Sequence, residues 1–274
     1  MAGKGKYYES QFEEATIELL RESHWQYTFG DDIHRKYTDP LIEEDLRTFL
    51  AAQYKDKNLT TFEIDGIVAN LRNIGGQNDY YALRNAFLLY RDGYDFAYSD
   101  GRDNPFRLQY IDFEHPNHNI FRCVNQFVME QGRENRRPDI LLFVNGIPVC
   151  IIELKNPTKR NTTIRDAHTQ ICTRYMRDIP ALLKYCALAV ISDGAKNALG
   201  TTFYEWKKIE NEDKAGKGLD TLRTLIRGAL SPERILEILR DYVYFPDPTK
   251  EDDTTEIVCR YPQFFATRKL RDHI

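Results

Sequence analysis

Residues 137–155 read RPDILLFVNGIPVCIIELK, two apolar runs joined by Asn145-Gly146. An Asn-Gly pair between two apolar runs is the strongest short-range signal for a β-hairpin. Both runs are apolar at nearly every position, so we expect strands that other parts of the chain cover on both faces. Such strands belong inside a sheet. The sequence therefore predicts an α/β fold with a mixed central sheet flanked by helices.

Charged residues stand at the ends of these two strands. Asp139 opens the first strand, whereas Glu153 and Lys155 close the second and share one face because they are two residues apart. Two carboxylates can hold Mg²⁺, and a neighbouring lysine can orient or deprotonate an attacking water. Charges at such positions are costly unless they are paired or liganded. The pattern therefore indicates metal-dependent phosphodiester hydrolysis, with a salt-bridged lysine at a sheet edge as the alternative.

The register of the hairpin decides whether the two carboxylates can share a metal ion. With a regular two-residue turn, Asp139 and Glu153 point to opposite faces of the sheet. A three-residue loop with a bulge at Gly146 brings both to one face. We therefore predict positive φ at Gly146 and not at Asn145. A bulge elsewhere, for instance near Pro148, would give the same shift.

Composition narrows the class of protein. The chain has 274 residues, 42% hydrophobic and 29% charged, which suits one large globular domain or two small ones. No apolar run approaches the roughly 18 residues of a membrane span, and the first residues lack the apolar segment of a secretory signal. Five cysteines without a Cys-x-x-Cys pair fit buried thiols in a reducing compartment. We expect a cytoplasmic protein, and exclude integral membrane proteins and secreted disulfide scaffolds.

Positive charge is concentrated in one part of an acidic chain. The net charge is −4, yet residues 133–178 carry nine Lys or Arg against five acids, a local charge of +4. A basic segment on an acidic chain can be the contact surface for a polyanion. On charge alone, an ordinary solvated surface is the commoner explanation.

The composition of the last part of the chain predicts how it is divided into domains. Residues 246–255 are polar and charged and are predicted to be a linker. Residues 1–245 would then form the main domain. Residues 256–274 are too short to fold alone, so we expect them to begin a further domain of a longer chain.

The segment 137–156 closely resembles the nuclease core of the restriction (R) subunit of type I restriction–modification enzymes, in the PD-(D/E)xK superfamily. The likeness covers most of the chain. Phe12–Ala15 resembles the family's opening helix, and Ala167–Gln170 followed by Tyr175 resembles the helix after the core. Residues 260–269 resemble the segment that leads into the family's ATP-driven DNA motor. The resemblance implies a restriction-endonuclease-like fold, with residues 256–274 as the start of the motor domain.

The resemblance also implies roles for individual residues. Asp139 and Glu153 would hold Mg²⁺, Lys155 would position or activate water, Gln170 would act with them, and Glu13 would assist the metal or its water. The residues implied to contact the DNA backbone are Lys159, Arg160, Arg165, Arg174 and Tyr175.

Two of these assignments stay open. The family usually has Gln-x-x-x-Tyr, which puts both side chains on one helical face. Here four residues separate Gln170 from Tyr175, and Arg174 occupies the place where the family has its tyrosine. Either Arg174 or Tyr175 could therefore face the site. Glu13 and Glu14 lie about 100° apart on a helix. Glu13 is preferred, although both could be ordinary acids near a helix start.

Cofactors and partners follow from the same resemblance. It implies Mg²⁺ for this chain and ATP for the full-length protein only, since the sequence has no Gly-x-x-x-x-Gly-Lys-Ser/Thr motif. It implies double-stranded DNA as a partner. We expect the chain to contact the DNA backbone and not to recognise bases, because backbone contacts carry no sequence information. It also implies modification and specificity subunits and a motor domain in cis as partners. A membrane is not expected as a partner, because the sequence has no apolar run of sufficient length.

Two other functions remain alternatives to an endonuclease of a restriction system. One is a repair or recombination nuclease of the same superfamily. The other is a non-catalytic module that docks DNA or the motor, in which the charges only form a salt bridge.

A pair of histidines has the spacing of metal ligands. His115 and His118 form His-x-x-His, but no third ligand is apparent nearby and Pro116 disfavours a helix there. We therefore interpret them as a loop pair and not as a zinc site.

Overall fold

The computed structural model describes residues 3–155, 164–194, 196–202, 219–246, 254–271 and 273. The described helices are α1 (Gly3–Glu22), α2 (Glu43–Gln53), α3 (Thr61–Asn73), α4 (Asp79–Asp92), α5 (Ile164–Thr169), α6 (Met176–Asp178), α7 (Pro180–Leu183), α8 (Leu219–Leu225), α9 (Pro232–Asp241) and α10 (Tyr261–Arg271). The described strands are β1 (Gln26–Phe29), β2 (Tyr94–Phe96), β3 (Phe106–Leu108), β4 (Phe121–Asn125), β5 (Met129–Gln131), β6 (Glu134–Arg136), β7 (Ile140–Val144), β8 (Ile147–Leu154), β9 (Leu188–Ser192), β10 (Asn197–Gly200), β11 (Val243–Tyr244) and β12 (Ile257–Val258). Two segments, Gln170–Tyr175 and Ile226–Leu230, are π-helical.

A six-stranded sheet organises the chain in the order β1-β4-β7-β8-β9-β10. β1 runs parallel to β4 and β8 parallel to β9, while the β4–β7, β7–β8 and β9–β10 pairs are antiparallel. The predicted α/β class with a mixed central sheet is confirmed. The hairpin β7–β8 lies at its centre, where both of its strands are buried at every position.

Helices cover both faces of this sheet. The first face packs against apolar residues of α1 to α4, α8 and α9, among them Leu20, Leu83 and Leu239. The second face packs against α5 to α7 through residues such as Ile171 and Leu182. Two-sided burial explains why the hairpin strands are apolar throughout. No helix in the described ranges is both long and apolar enough to cross a membrane.

The hairpin turn differs from the prediction. Both Asn145 and Gly146 have positive φ, 50° and 77°, so the turn has two residues and the predicted three-residue loop is wrong. The Asn145 side chain accepts the N–H of Ile120 at 2.7 Å and donates to the carbonyl of Tyr110 at 2.9 Å. These bonds hold the asparagine in a conformation that a non-glycine residue seldom adopts.

A bulge corrects the register three residues after the turn. Phe143 lies opposite Pro148, but Leu142 lies opposite Cys150, so Val149 is the extra residue. Val149 and Cys150 both pack into the core of the first face. The expected alternative, a bulge near Pro148, is confirmed. The extra residue therefore moves each side chain from Cys150 onward to the other face of the sheet from the one it would have in a regular strand.

The last residues pack onto the same body as the sheet. β12 pairs with β11, and Phe264 of α10 is buried in the core of the first face. Residues 247–253 of the predicted linker lie outside the described residues. The division into residues 1–245, 246–255 and 256–274 stays a prediction.

Candidate active site

The charged residues of the hairpin meet on the second face of the sheet. Ile140 pairs with Ile152, so Asp139, one residue earlier, lies opposite Glu153. The N–H of Leu154 donates to Asp139 Oδ2 at 2.7 Å, which fixes that carboxylate at the end of β8. The bulge at Val149 is what places both carboxylates on one face.

Four side chains form a connected hydrogen-bond cluster. Lys155 Nζ donates to Glu153 Oε1 at 2.6 Å and to Gln170 Oε1 at 2.8 Å. Gln170 Nε2 donates to the Tyr175 hydroxyl at 2.6 Å, and that hydroxyl donates to Glu153 Oε2 at 3.2 Å. Glu153 and Lys155 are both buried, with side chains 1% and 11% exposed. Burial of this ion pair would be costly without the additional hydrogen bonds, which hold the lysine at a defined point.

The helix after the core places Tyr175 in this cluster through a π-helical turn. The turn spans Gln170–Tyr175 and accommodates one extra residue. Tyr175 therefore takes the place next to Gln170 that a regular α-helix would give to Arg174, and Arg174 is exposed. Of the two residues left open by the sequence, Tyr175 contacts the cluster.

Glu13 approaches the same edge of the sheet from α1. Its carboxylate accepts hydrogen bonds from Asn125 Nδ2 at 2.7 Å and from Gln126 Nε2 at 2.8 Å, while Glu14 is exposed. Gln126 also bonds through its backbone N–H to the carbonyl of Asp139 at 3.1 Å. Our reading of the sequence missed Asn125 and Gln126. They end an apolar strand with polar groups, the same signal that marked Glu153.

An open cleft of about 700 Å³ lies beside Asp139. Its lining residues are Ser10, Glu13, Glu14, Ile17, Tyr27, Asn125, Gln126, Arg137 and Asp139. The cleft gives a large ligand access to the carboxylates of Asp139 and Glu13 from the side of α1 and β1.

The electrostatics of the site favour the binding of a cation. Burial and the nearby Glu153 carboxylate raise the pKa of Asp139 well above its ordinary value. Burial and the same carboxylate raise the pKa of Tyr175. Glu153 is buried and Asp139 is half-buried. Two adjacent carboxylates that repel each other are stabilised by a cation with a preference for oxygen ligands, and Mg²⁺ is such an ion. The donor set therefore fits the Mg²⁺ that the resemblance implies.

The basic segment divides into paired and solvent-facing residues. Arg136 and Arg177 both form ion pairs with Asp178. Arg165 and Arg174 are exposed on the helix that carries Gln170. Lys159 and Arg160, also expected at the DNA backbone, lie outside the described residues.

Comparison with known proteins identifies the family. Residues 6–208 match the family described as the type I restriction enzyme R protein N terminus. The chain belongs to this family. The matched range contains the hairpin, Glu13, Gln170 and Tyr175.

Curated relatives of this R protein N terminus cover nearly the whole chain. The chain is 28% identical to the type I restriction enzyme HindI endonuclease subunit of Haemophilus influenzae, over 96% of this chain and 26% of that protein. It is 29% identical to the putative type I restriction enzyme MjaIXP endonuclease subunit of Methanocaldococcus jannaschii, over 95% of this chain and 27% of that protein. The chain thus spans about a quarter of the length of these relatives.

Proposed function

We propose that this R protein N terminus is a Mg²⁺-dependent endonuclease domain that hydrolyses DNA phosphodiester bonds within a type I restriction complex. The observation that carries the proposal is the cluster of Asp139, Glu153 and Lys155 with Gln170 and Tyr175 on one face of the central sheet. The same arrangement supports placing it in the PD-(D/E)xK superfamily.

Asp139 and Glu153 would hold the ion. When bound, Mg²⁺ supplies Lewis-acid stabilisation of charge on the phosphodiester. Leu154 keeps Asp139 oriented through its N–H. Tyr175 keeps Glu153 oriented through its hydroxyl.

Lys155 provides the positive charge that belongs to the protein itself. An ammonium group has three hydrogen-bond donors, and Glu153 and Gln170 take two of them. Among the described residues no other acceptor is bonded to Nζ, so the third donor would serve the attacking water or a phosphate oxygen, whose charge it would stabilise. Gln170 fixes the position of Lys155 because it accepts from Nζ while it donates to Tyr175. Glu13, held by Asn125 and Gln126, would hold a water at the open end of the cleft.

The assignment to a restriction complex rests on the family and on the named relatives. Modification and specificity subunits, a motor domain in the same polypeptide and double-stranded DNA would be its partners. A module that only docks would not need a glutamine and a tyrosine that position a buried Glu–Lys pair beside an acid-lined cleft. A repair nuclease is disfavoured because the named relatives are type I endonuclease subunits.

The variant Asp139→Asn tests the proposal. Folding raises the pKa of Asp139, so the folded chain binds more protons than the unfolded chain above the ordinary carboxyl pKa, and stability falls as pH rises through that window. In EDTA at pH 8 the variant should therefore be more stable than the wild type by about 1 kcal/mol, and the difference should vanish at low pH. Mg²⁺ should raise the melting temperature of the wild type but not of Asp139→Asn, and the assembled enzyme with this variant should not cleave DNA.

Asp95→Asn is the matched control, because Asp95 is exposed on β2 away from the cluster. It should respond to Mg²⁺ as the wild type does. An equal response to Mg²⁺ in Asp139→Asn, or cleavage at the normal rate, would contradict the proposal.

DNA affinity should depend steeply on salt and little on sequence. Each arginine that contacts a phosphate contributes about one unit to the slope of log affinity against log salt. Arg165→Gln and Arg174→Gln should each lower that slope by about one when binding of duplex DNA is titrated in EDTA. Arg107→Gln, on the β3 strand, should leave it unchanged. If neither Arg165→Gln nor Arg174→Gln changed the slope, the helix that carries Gln170 would be excluded as the DNA-contacting surface.

A further inference from the structure

The two histidines of the loop between β3 and β4 have a third neighbour that the sequence interpretation overlooked. Asp112 Oδ2 lies 2.9 Å from His118 Nδ1 and 3.4 Å from His115 Nδ1. One ligand atom from each residue falls within 4.8 Å of the other two. The expectation that His115 and His118 lack a third ligand is therefore wrong. The loop folds back through a short 3₁₀ turn, Pro116–His118, and brings both rings over the carboxylate.

The geometry is close to that of a metal-ligand set. Four ligand atoms at about 2.1 Å from a tetrahedral ion are about 3.4 Å from one another. The Asp112–His115 separation already has this value, and the Asp112–His118 separation is half an ångström shorter. The two rings are stacked, with centroids 4.9 Å apart and planes 23° apart. Both Nδ1 atoms lie close to Asp112 Oδ2.

The carboxylate is held in place by groups that would remain after a metal bound. Asp112 Oδ1 accepts the backbone N–H groups of Glu114 at 3.0 Å and of His115 at 2.9 Å. Gln53 Nε2 donates to Oδ2 at 3.0 Å from α2. Such outer contacts orient ligands and are typical of metal centres. Asp112 is buried while both histidines are exposed, so the site opens to solvent on one side only.

The loop is remote from the proposed nuclease cluster. Asn145 at the hairpin turn donates to Asn119 at the end of the loop, at 2.8 Å. Glu153 stands at the other end of β8. A strand of this length separates the two sites by roughly 20 Å. An ion at Asp112 is therefore not the ion of the cleft.

We propose that Asp112, His115 and His118 bind a divalent transition-metal ion of the Zn²⁺ class. The ligand atoms are the two histidine Nδ1 atoms and Asp112 Oδ2, and water completes the coordination. Imidazole nitrogen favours Zn²⁺ and Co²⁺ over Mg²⁺, which separates this site chemically from the carboxylate pair at Asp139 and Glu153. The bound ion links the 3₁₀ turn to the buried carboxylate and so stabilises the loop between β3 and β4.

Co²⁺ is the probe for this site, because tetrahedral Co²⁺ absorbs visible light and reports its own coordination. The 274-residue chain is titrated with Co²⁺ in excess Mg²⁺, which occupies carboxylate sites. We expect visible absorption bands from bound Co²⁺, and added Zn²⁺ should abolish them because it displaces Co²⁺. His115→Ala and His118→Ala should each weaken Co²⁺ binding at least about tenfold. The matched control His34→Ala, at an exposed histidine outside the loop, should bind as the wild type does.

Both histidines are exposed, so their replacement should leave the melting temperature in EDTA unchanged. Asp112 is not replaced, because it accepts backbone N–H groups and its loss would disturb the loop. Asp139→Asn should retain the full Co²⁺ signal, which distinguishes this site from the cleft. Equal Co²⁺ affinities in the wild type and in both loop variants would overturn the proposal and leave two histidines that only pair with Asp112. Loss of the signal in Asp139→Asn would overturn it as well, since the ion would then be in the cleft.

Discussion

Under the proposed nuclease function, replacement of Lys155 with alanine should lower the rate of DNA cleavage by the assembled enzyme about 1,000-fold. Lys155 Nζ is held by Glu153 and Gln170 at a single point, so no other described side chain of the cluster can supply its charge. Loss of one positioned electrostatic or proton-transferring group costs roughly 100- to 10,000-fold in rate. Mg²⁺ binding should stay roughly intact in this variant, because the two carboxylates remain.

The measurement pairs a cleavage assay on closed circular DNA with calorimetry of Mg²⁺ binding. Lys155 is buried beside Glu153, so thermal unfolding must show that Lys155→Ala is folded at the assay temperature. Lys36→Ala, at an exposed lysine, is the control for loss of a positive charge. Normal cleavage by a folded Lys155→Ala enzyme would remove Lys155 from the catalytic role.

The hairpin and its charged ends could be predicted from local sequence alone. An Asn-Gly pair between two apolar runs predicts a hairpin, and the lack of polar positions in both runs predicts that its strands are central. Asp139, Glu153 and Lys155 stand out because they interrupt those runs, where a charge needs a partner. The position of these side chains on one face required a further fact, the site of the bulge.

The bulge and the turn could not be ranked from the sequence because distant contacts decide between them. Asn145 bonds to Ile120 and Tyr110, and Gly146 lies against Ile42, residues far away along the chain. These contacts stabilise a two-residue turn, and the extra residue is placed at Val149 instead.

The π-helical turn is a second case in which tertiary contacts override helical spacing. Counting residues favoured Arg174 beside Gln170, yet the phenol of Tyr175 bonds to both Gln170 and Glu153. An arginine is readily solvated, whereas an aromatic ring gains from burial, and the helix accommodates one extra residue to bury it. Likewise, periodicity gives no conformation for the loop that brings Asp112 to His118, although the two are only six residues apart.

Gly146→Ala should lower the free energy of unfolding by roughly 3–5 kcal/mol. Gly146 has φ of 77°, which costs an L-residue about 1–2 kcal/mol. An added Cβ would also overlap the carbonyl oxygen of Ile42 and lie 3.0 Å from its carbon and 3.2 Å from the nitrogen of Leu46. These are backbone atoms at the start of α2, which cannot rotate away as a side chain can. A shift would break the hydrogen bond from the Ile42 N–H to the Gly146 carbonyl.

Gly132→Ala separates the steric effect from the conformational one. Gly132 lies in the turn between β5 and β6 with φ of 63°, and a Cβ there would meet nothing within 4 Å. It should cost only about 1–2 kcal/mol, the penalty for positive φ alone. Urea unfolding followed by circular dichroism measures both losses, and equal losses would show that the contact with Ile42 carries no energy. A large difference would mean that the position of α2 and the two-residue turn are fixed together. In that case the register that turns Glu153 toward Asp139 is set by packing at the opposite end of the hairpin from the carboxylates.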